Sequence, residues 1–427
     1  MRIAVIGAGI VGVTTAYELA GDGHEVVVFE RHASVATQTS FANAGVLAPG
    51  YVTPWAAPGM PWKVFSQLLG RHAPVRLAGM GALRHASWIW QWWRACRRPV
   101  HERNRGAMQR LAHFSHAHQL ELTRQLSLEY EHSTGYMVLL RTARDVTRAQ
   151  AGLKLLSELG VAHEWVDGAR ARMIEPALNP ATALQGAIHL PQDGAGNCRQ
   201  FAHLMKAQAQ HLGVNFRFEQ RVTRILPGAQ VQLVLGDERS QGDTQIDAPR
   251  AFDGVVICAG HEAPALLQPL GLKLPIVPIW GYSLTAPLRH VDSQHDNAPR
   301  SAVMDEKYKV AITRLGKRVR VAGSAELGGA AGKFNEGAMR TLYRVLDDWY
   351  PGAAHMAQAQ PWKGARPMLP DGPPLLGASG VPGVWLNVGH GSSGWALSCG
   401  SARVVAELVA GRSAPLDTTG LDLSRLR

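Results

Sequence analysis

The sequence predicts a chain that begins with an α/β unit and is long enough for two domains. Its 427 residues exceed the roughly 100–200 residues of an ordinary single domain. The first thirty residues alternate strand, glycine-rich turn, helix and strand. A second glycine-rich turn lies near the C-terminus, after another apolar run. These two turns are the strongest local patterns in the chain.

The first glycine-rich turn is typical of a Rossmann-type nucleotide site. An apolar run over residues 1–6 precedes Gly7-Ala8-Gly9-Ile10-Val11-Gly12, a helical stretch follows, and the strand-like run 24–29 closes on Glu30. Gly7 permits the tight turn, Gly9 lets the backbone approach a pyrophosphate, and Gly12 allows the helix to pack closely on the strand. Glu30 can accept hydrogen bonds from a ribose hydroxyl and disfavours a 2′-phosphate. FAD and NAD therefore remain as candidates, and NADP is disfavoured.

The second turn favours a flavin. Gly389-His390-Gly391-Ser392-Ser393-Gly394 lies between the strand-like run 384–388 and a helical stretch that continues to Leu408, and Trp395 follows directly. A helix N-terminus presents N–H groups and a positive dipole, which suit the electron-rich pyrimidine edge of a reduced flavin. A packing turn is the alternative. The buried run 252–260 ends in Ala259-Gly260, and small residues there would let a bulky cofactor pass.

Several further segments resemble the FAD-dependent D-amino-acid oxidase superfamily and, within it, the bacterial D-amino-acid dehydrogenases (small subunit). They are residues 39–45, 48–51, 54–59, 71–74, 308–314, 365–377, 389–391 and 394–395. Two features depart from the pattern of these dehydrogenases. Ser392-Ser393 stands beside the expected flavin, which bears on the substrate range, and the polar insert 236–250 is expected to be a surface loop.

The resemblance implies a mixed α/β and α+β fold with two interleaved domains. A Rossmann-type FAD-binding domain would comprise residues 1–51, 194–263 and 361–427. A substrate domain built on an antiparallel sheet with helices would comprise residues 52–193 and 264–360. Its expected strands are 283–285, 310–313 and 318–321, and residues 88–130 form a long helical region.

The reaction implied by the resemblance is oxidative deamination of a D-amino acid such as D-alanine. A hydride passes from Cα to flavin N5, and water then yields a 2-oxo acid and ammonia. A carboxylate in a dry pocket requires a forked cationic donor, which favours Arg366 in its Arg-Pro motif. Tyr51, Tyr282 and Tyr308 are candidate hydroxyl donors. His390 is expected to pack or to orient the backbone rather than to act as a base.

The expected cofactor is non-covalent FAD. Its contacts would come from both glycine turns, from the small residues after Thr39 and from scattered positions, with Arg31 either near the adenine or facing solvent. The candidates outside the two turns are Glu30, Arg31, Ser40, Asn43, Ala44, Gly45, Val46, Leu47, Val222, Ala259, Gly260 and Trp395. The four cysteines lack metal-site or disulfide spacing, so a reducing compartment is favoured and no metal site is predicted. Buried apolar cysteine is the expected role of Cys258 and Cys399.

The basic net charge and one aromatic segment indicate which kinds of binding partner the protein could have. With 44 Lys and Arg against 33 Asp and Glu, the net charge of +11 favours anionic partners. Residues 88–98 combine tryptophans with arginines, as at membrane interfaces, although packing at a domain junction explains them equally well. The resemblance implies a peripheral protein on the inner face of a bacterial cytoplasmic membrane, with a quinone or other membrane electron acceptor.

Three alternatives remain open at the level of sequence. They are an oxygen-using amine oxidase of the glycine or sarcosine type, a D-proline or hydroxyproline dehydrogenase, and a non-catalytic flavin-binding module docking on nucleic acid. Nucleic-acid binding is not expected, because no compact basic stripe carries interleaved stacking aromatics other than the tryptophan segment. The preference for D substrates rests on the resemblance, and the oligomeric state is not predicted.

Overall fold

The computed structural model describes residues 1–67, 70, 72–158, 160–237, 250–289 and 297–426. Arg71 and most of the polar insert, residues 238–249, lie outside the described residues. The strands are β1 (Arg2–Ile6), β2 (Glu25–Phe29), β3 (Val46–Leu47), β4 (Val75–Leu77), β5 (Ser133–Leu140), β6 (Glu164–Asp167), β7 (Gly186–Ala195), β8 (Asn215–Arg217), β9 (Gln220–Leu226), β10 (Val231–Asp237), β11 (Arg250–Phe252), β12 (Gly254–Ile257), β13 (Val277–Pro287), β14 (Ala302–Asp305), β15 (Val310–Leu315), β16 (Arg318–Leu327), β17 (Gln360–Met368), β18 (Leu375–Ala378) and β19 (Val384–Val388). The helices are α1 (Ile10–Gly21), α2 (Met60–Gln67), α3 (Gly79–Leu83), α4 (Ala86–Ala95), α5 (Arg98–Gln125), α6 (Ala143–Glu158), α7 (Gly168–Ile174), α8 (Cys198–His211), α9 (Ala263–Leu267), α10 (Glu336–Trp349) and α11 (Gly394–Val409).

A six-stranded sheet carries the predicted Rossmann-type unit. Its strand order is β18-β19-β12-β1-β2-β8, and every neighbouring pair except β18–β19 is parallel. Ile3 on the central strand pairs with Val26 on one side and with Gly254 on the other. The apolar strands are buried because helices cover a parallel sheet. A separate three-stranded sheet is formed by β9, β10 and β11.

A ten-stranded sheet forms the second layer of the molecule. The path β17-β13-β16-β15-β14-β5-β7-β3 is joined by β4 on β16 and by β6 on β7. Most of its pairs are antiparallel, and the exceptions are β14–β5 and β16–β4. The three strands expected in this part of the sequence lie within β13, β15 and β16. The mixed α/β and α+β class is confirmed.

Two strands and one helix make contacts that cross the predicted domain boundaries. The boundary at residue 361 falls inside β17, which pairs with β13 along its whole length. Val46–Leu47 pairs with β7, so the end of the first predicted segment also joins the larger sheet. The long helix α5 contributes Ala107, Met108 and Leu111 to the core shared by α1, α8 and α11. These are long-range pairings, which local sequence patterns do not encode.

Asp193 on β7 gives this region a predicted pH dependence. The residue is 3% exposed, and its Oδ2 atom has no hydrogen-bond partner among the described residues. Burial raises the pKa of its carboxyl to about 7, opposed by a hydrogen bond from the Gly50 amide. The folded state thus holds a proton that the unfolded state releases near pH 4, so stability falls as pH rises from about 4 to about 7.

We therefore expect Asp193→Asn to raise the melting temperature at pH 8 and to change it little at pH 4.5. Thermal unfolding at the two pH values measures the difference, with Asp347→Asn, at an exposed position of α10, as the matched control. A gain of the same size at both pH values would contradict a neutral native carboxyl.

Candidate cofactor and active site

A cavity of about 730 Å³ lies between the two large sheets and receives side chains from both. It gathers most of the residues predicted from sequence. Those that line it are Gly7, Gly9, Ile10, Val11, Glu30, Arg31, Ser40, Asn43, Ala44, Gly45, Val46, Tyr51, Val222, Ala259, Gly260, Tyr282, Arg366, Gly389, His390, Gly391, Ser392, Ser393, Gly394 and Trp395. The predicted residues outside its lining are Gly12, Leu47 and Tyr308.

The N-terminus of α1 faces one end of the cavity. Gly7 has a φ of +101°, and its amide donates to Phe29 O at 2.8 Å, which completes the tight turn after β1. A Cβ on Gly12 would overlap the carbonyl oxygen of Gly7. Gly12 therefore does not line the cavity. Its missing side chain lets the helix pack closely against the turn, which is the role that the sequence pattern predicts for it. At Gly9 a Cβ would meet only Ser40 Oγ, at 3.5 Å, so the space in front of the turn is open.

Glu30 is held at the end of β2 in a fixed position. Its Oε2 atom accepts from the Ala8 amide at 2.8 Å, and its Oε1 atom accepts from the His32 amide at 2.9 Å. The carboxylate therefore stands beside the glycine-rich turn, where a ribose hydroxyl would lie. Arg31 forms an ion pair with Glu262 at the same end of the cavity. Its predicted contact with adenine stays a prediction.

The segment after Thr39 crosses several strands of the ten-stranded sheet and lines the cavity on the way. Thr39 Oγ1 donates to Ala365 O at 2.6 Å, Ser283 Oγ donates to Ala42 O at 2.8 Å, and Thr313 Oγ1 donates to Ala44 O at 2.8 Å. Ala365, Ser283 and Thr313 lie on β17, β13 and β15, so each bond ties the segment to a different strand. These bonds hold the segment flat, so its small side chains leave room for a broad ligand. Leu47 pairs with β7 and is buried in the core, so it is removed from the cofactor contacts.

The second glycine-rich turn closes the other side of the cavity. A short 3₁₀ turn, Gly391–Ser393, leads into α11, whose N-terminus has no side-chain cap. Its first N–H groups are therefore available to a ligand. Asn387 and Trp395 line the cavity, and their buried Oδ1 and Nε1 atoms have no hydrogen-bond partner among the described residues. Open amides and unpaired polar atoms along a wide cleft fit a flavin dinucleotide.

His390 is buried and neutral. Its Nε2 atom lies 3.0 Å from Ser401 Oγ, and burial lowers the pKa of the imidazole to about 3. A group with that pKa holds no proton at neutral pH and is a weak base. The position agrees with the expected packing role.

Arg366 presents a cation to the cavity. It lies on β17 opposite Ile279. Its guanidinium occupies the space above Gly281, where a Cβ would overlap it. Nη1 donates to Ser324 O at 2.8 Å, and no carboxylate pairs with this arginine among the described residues. Burial lowers its pKa to about 10, so it remains charged at neutral pH. The unpaired donors are suited to a substrate carboxylate.

Two of the three predicted hydroxyl donors, Tyr282 and Tyr308, are already engaged by other residues of the protein. The Tyr282 hydroxyl donates to Glu326, which also accepts from Lys363 Nζ at 3.2 Å, so this phenol already has a partner. Tyr308 follows β14 in a turn, and its ring packs in the core with the guanidinium of Arg141 5.2 Å from the ring centre. Tyr308 is therefore removed from the candidate substrate contacts. Its neighbour Lys309 faces the cavity instead.

Sequence reasoning missed a polar cluster at one end of the cavity. Tyr51 Oη donates to Glu306 Oε2 at 2.6 Å and accepts from Lys309 Nζ at 2.9 Å. Lys63 and Tyr136 line the cavity near them. A Tyr-Lys pair at 308–309 was visible in the sequence, but which of two adjacent turn residues faces inward is decided by the turn. Lys63 carried no signal beyond its charge.

Comparison with known proteins identifies the family. Residues 2–408 match the family described as "FAD dependent oxidoreductase", the DAO family, and the chain belongs to it. A D-amino acid dehydrogenase from Cereibacter sphaeroides is 39% identical over 100% of this chain and 95% of that protein.

Two solved structures share the fold at low sequence identity. Glycine oxidase from Geobacillus kaustophilus has a TM-score of 0.74 at 22% identity, covering 99% of this chain and 98% of that one. L-proline dehydrogenase from P. horikoshii has a TM-score of 0.73 at 18% identity, covering 100% and 97%. The protein is thus an FAD-dependent oxidoreductase and a homologue of a D-amino acid dehydrogenase.

The cavity wall is unsuited to a thioether link with the flavin. Cys258 lines the cavity, but its thiol is 3.8 Å from Thr15 Oγ1, and burial raises its pKa to about 12. A thiol with that pKa is almost entirely protonated at neutral pH and is a poor nucleophile. These facts support non-covalent binding of FAD by the two glycine-rich turns and the segment after Thr39.

Proposed function

We propose that the protein oxidises D-amino acids such as D-alanine to 2-oxo acids and ammonia. The observation that carries this proposal is Arg366, whose guanidinium has no carboxylate partner among the described residues and lies in the same cavity as both glycine-rich turns. Its forked donors match a carboxylate. The likeness over the full chain to a D-amino acid dehydrogenase supports the substrate class.

The residues of the chain would bind and orient while the cofactor supplies the redox chemistry. FAD, when bound, accepts the hydride from the substrate Cα at N5. Arg366 would hold the carboxylate and thereby fix the position of Cα. The absence of a side chain at Gly281 leaves room for the guanidinium. Because His390 is neutral and hydrogen-bonded to Ser401, the amine would lose its proton to solvent before or during binding.

An anaerobic titration tests this function. The purified flavoprotein is mixed with the D- and L-forms of alanine and proline, with hydroxyproline, and with glycine and sarcosine. Loss of the absorbance of oxidised flavin at about 450 nm is followed. We expect bleaching by D-alanine, slow reoxidation in air with peroxide formed only at that slow rate, and fast reoxidation by a quinone. Bleaching by glycine or sarcosine with peroxide release would replace the proposal with an oxidase, and bleaching by D-proline or hydroxyproline alone would replace it with an imino-acid dehydrogenase.

We further propose that the electrons pass to a membrane acceptor and that Trp62, Phe65, Trp90 and Trp93, here called the tryptophan face, contact the inner face of the bacterial cytoplasmic membrane. Trp62, Phe65, Trp90 and Trp93 are 74%, 68%, 53% and 56% exposed. Between Glu30 and Glu102 the sequence has no acidic residue. Exposed tryptophan beside unopposed basic residues suits an anionic lipid surface. Among the described residues, no helix has the length and apolarity needed to cross a membrane.

Vesicle binding tests the tryptophan face. We expect the double variant Trp90→Ser, Trp93→Ser to bind anionic phosphatidylglycerol vesicles at least about tenfold more weakly, because each indole buries apolar surface in the interface. Co-sedimentation measures the bound fraction, with neutral phosphatidylcholine vesicles as a lipid control. Met173→Ser, Leu120→Ser is the matched control, since both side chains are exposed elsewhere. Equal losses in the two double variants would contradict the assignment.

A further inference from the structure

The indole of Trp55 connects the candidate carboxylate donor to the second glycine-rich turn. Its Nε1 atom donates to Ser392 Oγ at 3.1 Å. The guanidinium of Arg366 lies over the same ring, 5.7 Å from its centre, which is inside the roughly 6 Å range of a cation–π contact. All three residues line the cavity. The indole therefore stands alongside the gap between Arg366 and the turn that leads into α11.

Helix α5 holds the backbone on both sides of Trp55. His101 Nδ1 donates to Ala56 O at 2.8 Å, and Gln109 Nε2 donates to Val52 O. Ala56 and Val52 are themselves buried. The segment that carries the indole is thus anchored to a long helix of the core.

The ring of Trp55 is held at its body as well as at its tip. It packs against an apolar cluster that includes Ile279, Leu327 and Met368. The hydrogen bond to Ser392 fixes the opposite, polar part of the side chain. An aromatic ring held by apolar packing and by its N–H group does not swing aside without losing both contacts.

A substrate held by Arg366 would lie beside this ring. Its carboxylate would be fixed at the guanidinium, and its Cα would have to reach the flavin, whose pyrimidine edge is expected at the second turn. Trp55 contacts a residue at each end of that path. The substituents on Cα would therefore meet a fixed apolar wall, which leaves little room for a bulky group and offers no partner to a charged one.

We propose that Trp55 is a specificity-determining residue that restricts the substrate to D-amino acids with small side chains, and that Ser392 is the positioning residue that holds the indole in place. The proposal rests on the proposed function and narrows its substrate class. The opposite expectation is a platform on which aromatic side chains stack. It is disfavoured because the Arg366 guanidinium already lies over the ring and the ring packs against the apolar cluster.

The first measurement compares two substrates in one preparation. It is the ratio of kcat/KM for D-phenylalanine to that for D-alanine, with ferricyanide as the electron acceptor. Because both values come from the same protein, the ratio does not depend on the folded or flavin-loaded fraction. The variants are Trp55→Leu, Ser392→Ala and Ser392→Thr. Trp90→Leu is the matched control, since Trp90 is 53% exposed on α4.

The second measurement needs no turnover. Propionate and 3-phenylpropionate are alanine and phenylalanine without the amine, and their binding to the oxidised holoenzyme is followed by the change in flavin absorbance. The ratio of their dissociation constants reports the same wall whether or not amino acids are oxidised.

We expect Trp55→Leu to raise the relative kcat/KM for D-phenylalanine by about tenfold to a hundredfold, because the wall that excludes the larger side chain is removed. The relative affinity for 3-phenylpropionate should rise in parallel. Ser392→Ala should raise both ratios by about threefold to tenfold, since the indole N–H loses its acceptor. Ser392→Thr keeps the hydroxyl and should retain the parental ratios.

Unchanged ratios in Trp55→Leu would overturn the proposal, and the proposed function would stand if D-alanine still reduced the flavin. Lower ratios in that variant would also overturn it, in favour of a stacking platform. Shifted carboxylate ratios in a protein that no amino acid reduces would support the wall and would count against the proposed function instead.

Discussion

Replacing Arg366 by lysine is expected to lower kcat/KM for D-alanine by about 10²–10³-fold. The guanidinium presents a rigid fork of donors, whereas an ammonium is a single compact charge that cannot make the same paired contact. A loss of 10²–10³-fold is about 2.7–4.1 kcal/mol, which lies within the roughly 2–5 kcal/mol that loss of one partner of a buried charged hydrogen bond typically costs. Because Arg366 has no carboxylate partner among the described residues, its replacement breaks no ion pair there.

The effect is measured as the rate of anaerobic flavin reduction at several concentrations of D-alanine. Flavin content and melting temperature should remain close to those of the parent protein. The matched control is Arg340→Lys, whose side chain is 58% exposed on α10. If Arg366→Lys retained full activity with D-alanine, another group would have to bind the carboxylate.

Alanine substitutions at two glycines of the first turn are expected to change different properties. Gly9→Ala should weaken cofactor binding, and Gly12→Ala should destabilise the fold. Gly9→Ala should fold, because Gly9 has a φ of −66° and a Cβ there meets only Ser40 Oγ at 3.5 Å. The added methyl should nevertheless weaken FAD binding by about tenfold to a hundredfold, since it occupies the path of the pyrophosphate. Gly12→Ala should instead destabilise the fold by more than about 3 kcal/mol, because its Cβ overlaps the carbonyl oxygen of Gly7.

Apoprotein circular dichroism, thermal unfolding and FAD titration distinguish the two outcomes. Gly21→Ala is the matched control, since a Cβ there meets nothing within 4 Å and alanine favours the helix. A Gly9→Ala protein that bound FAD with parental affinity would contradict the placement of the dinucleotide at this turn.

Local patterns in the sequence predicted the two glycine-rich turns that line the cavity. The run from Gly7 to Glu30 folds as a strand, turn, helix and strand because each step is encoded by adjacent residues. Arg366 and the turn at 389–394 were also found, since their motifs are continuous. In each case the residues of the predicted motif lie close together in the chain.

Features that depend on distant pairing could not be predicted from the sequence. Residues 361–368 of the predicted FAD-binding domain pair with β13, roughly 80 residues earlier in the chain, and no local sequence pattern signals such a pairing. Tyr308 is a candidate hydroxyl donor by its residue type, yet in the turn after β14 its neighbour Lys309 lines the cavity. Lys63 became a candidate only when α2 was seen to line the cavity.

The most direct test of the central claim is anaerobic reduction of the flavoprotein by D-alanine carrying deuterium at Cα. If a hydride leaves Cα while Arg366 holds the carboxylate, one 2-oxo acid and one ammonia should form per flavin reduced. The deuterated substrate should also reduce the flavin more slowly than ordinary D-alanine at saturation. A flavin that stays oxidised with every D- and L-amino acid would contradict the account.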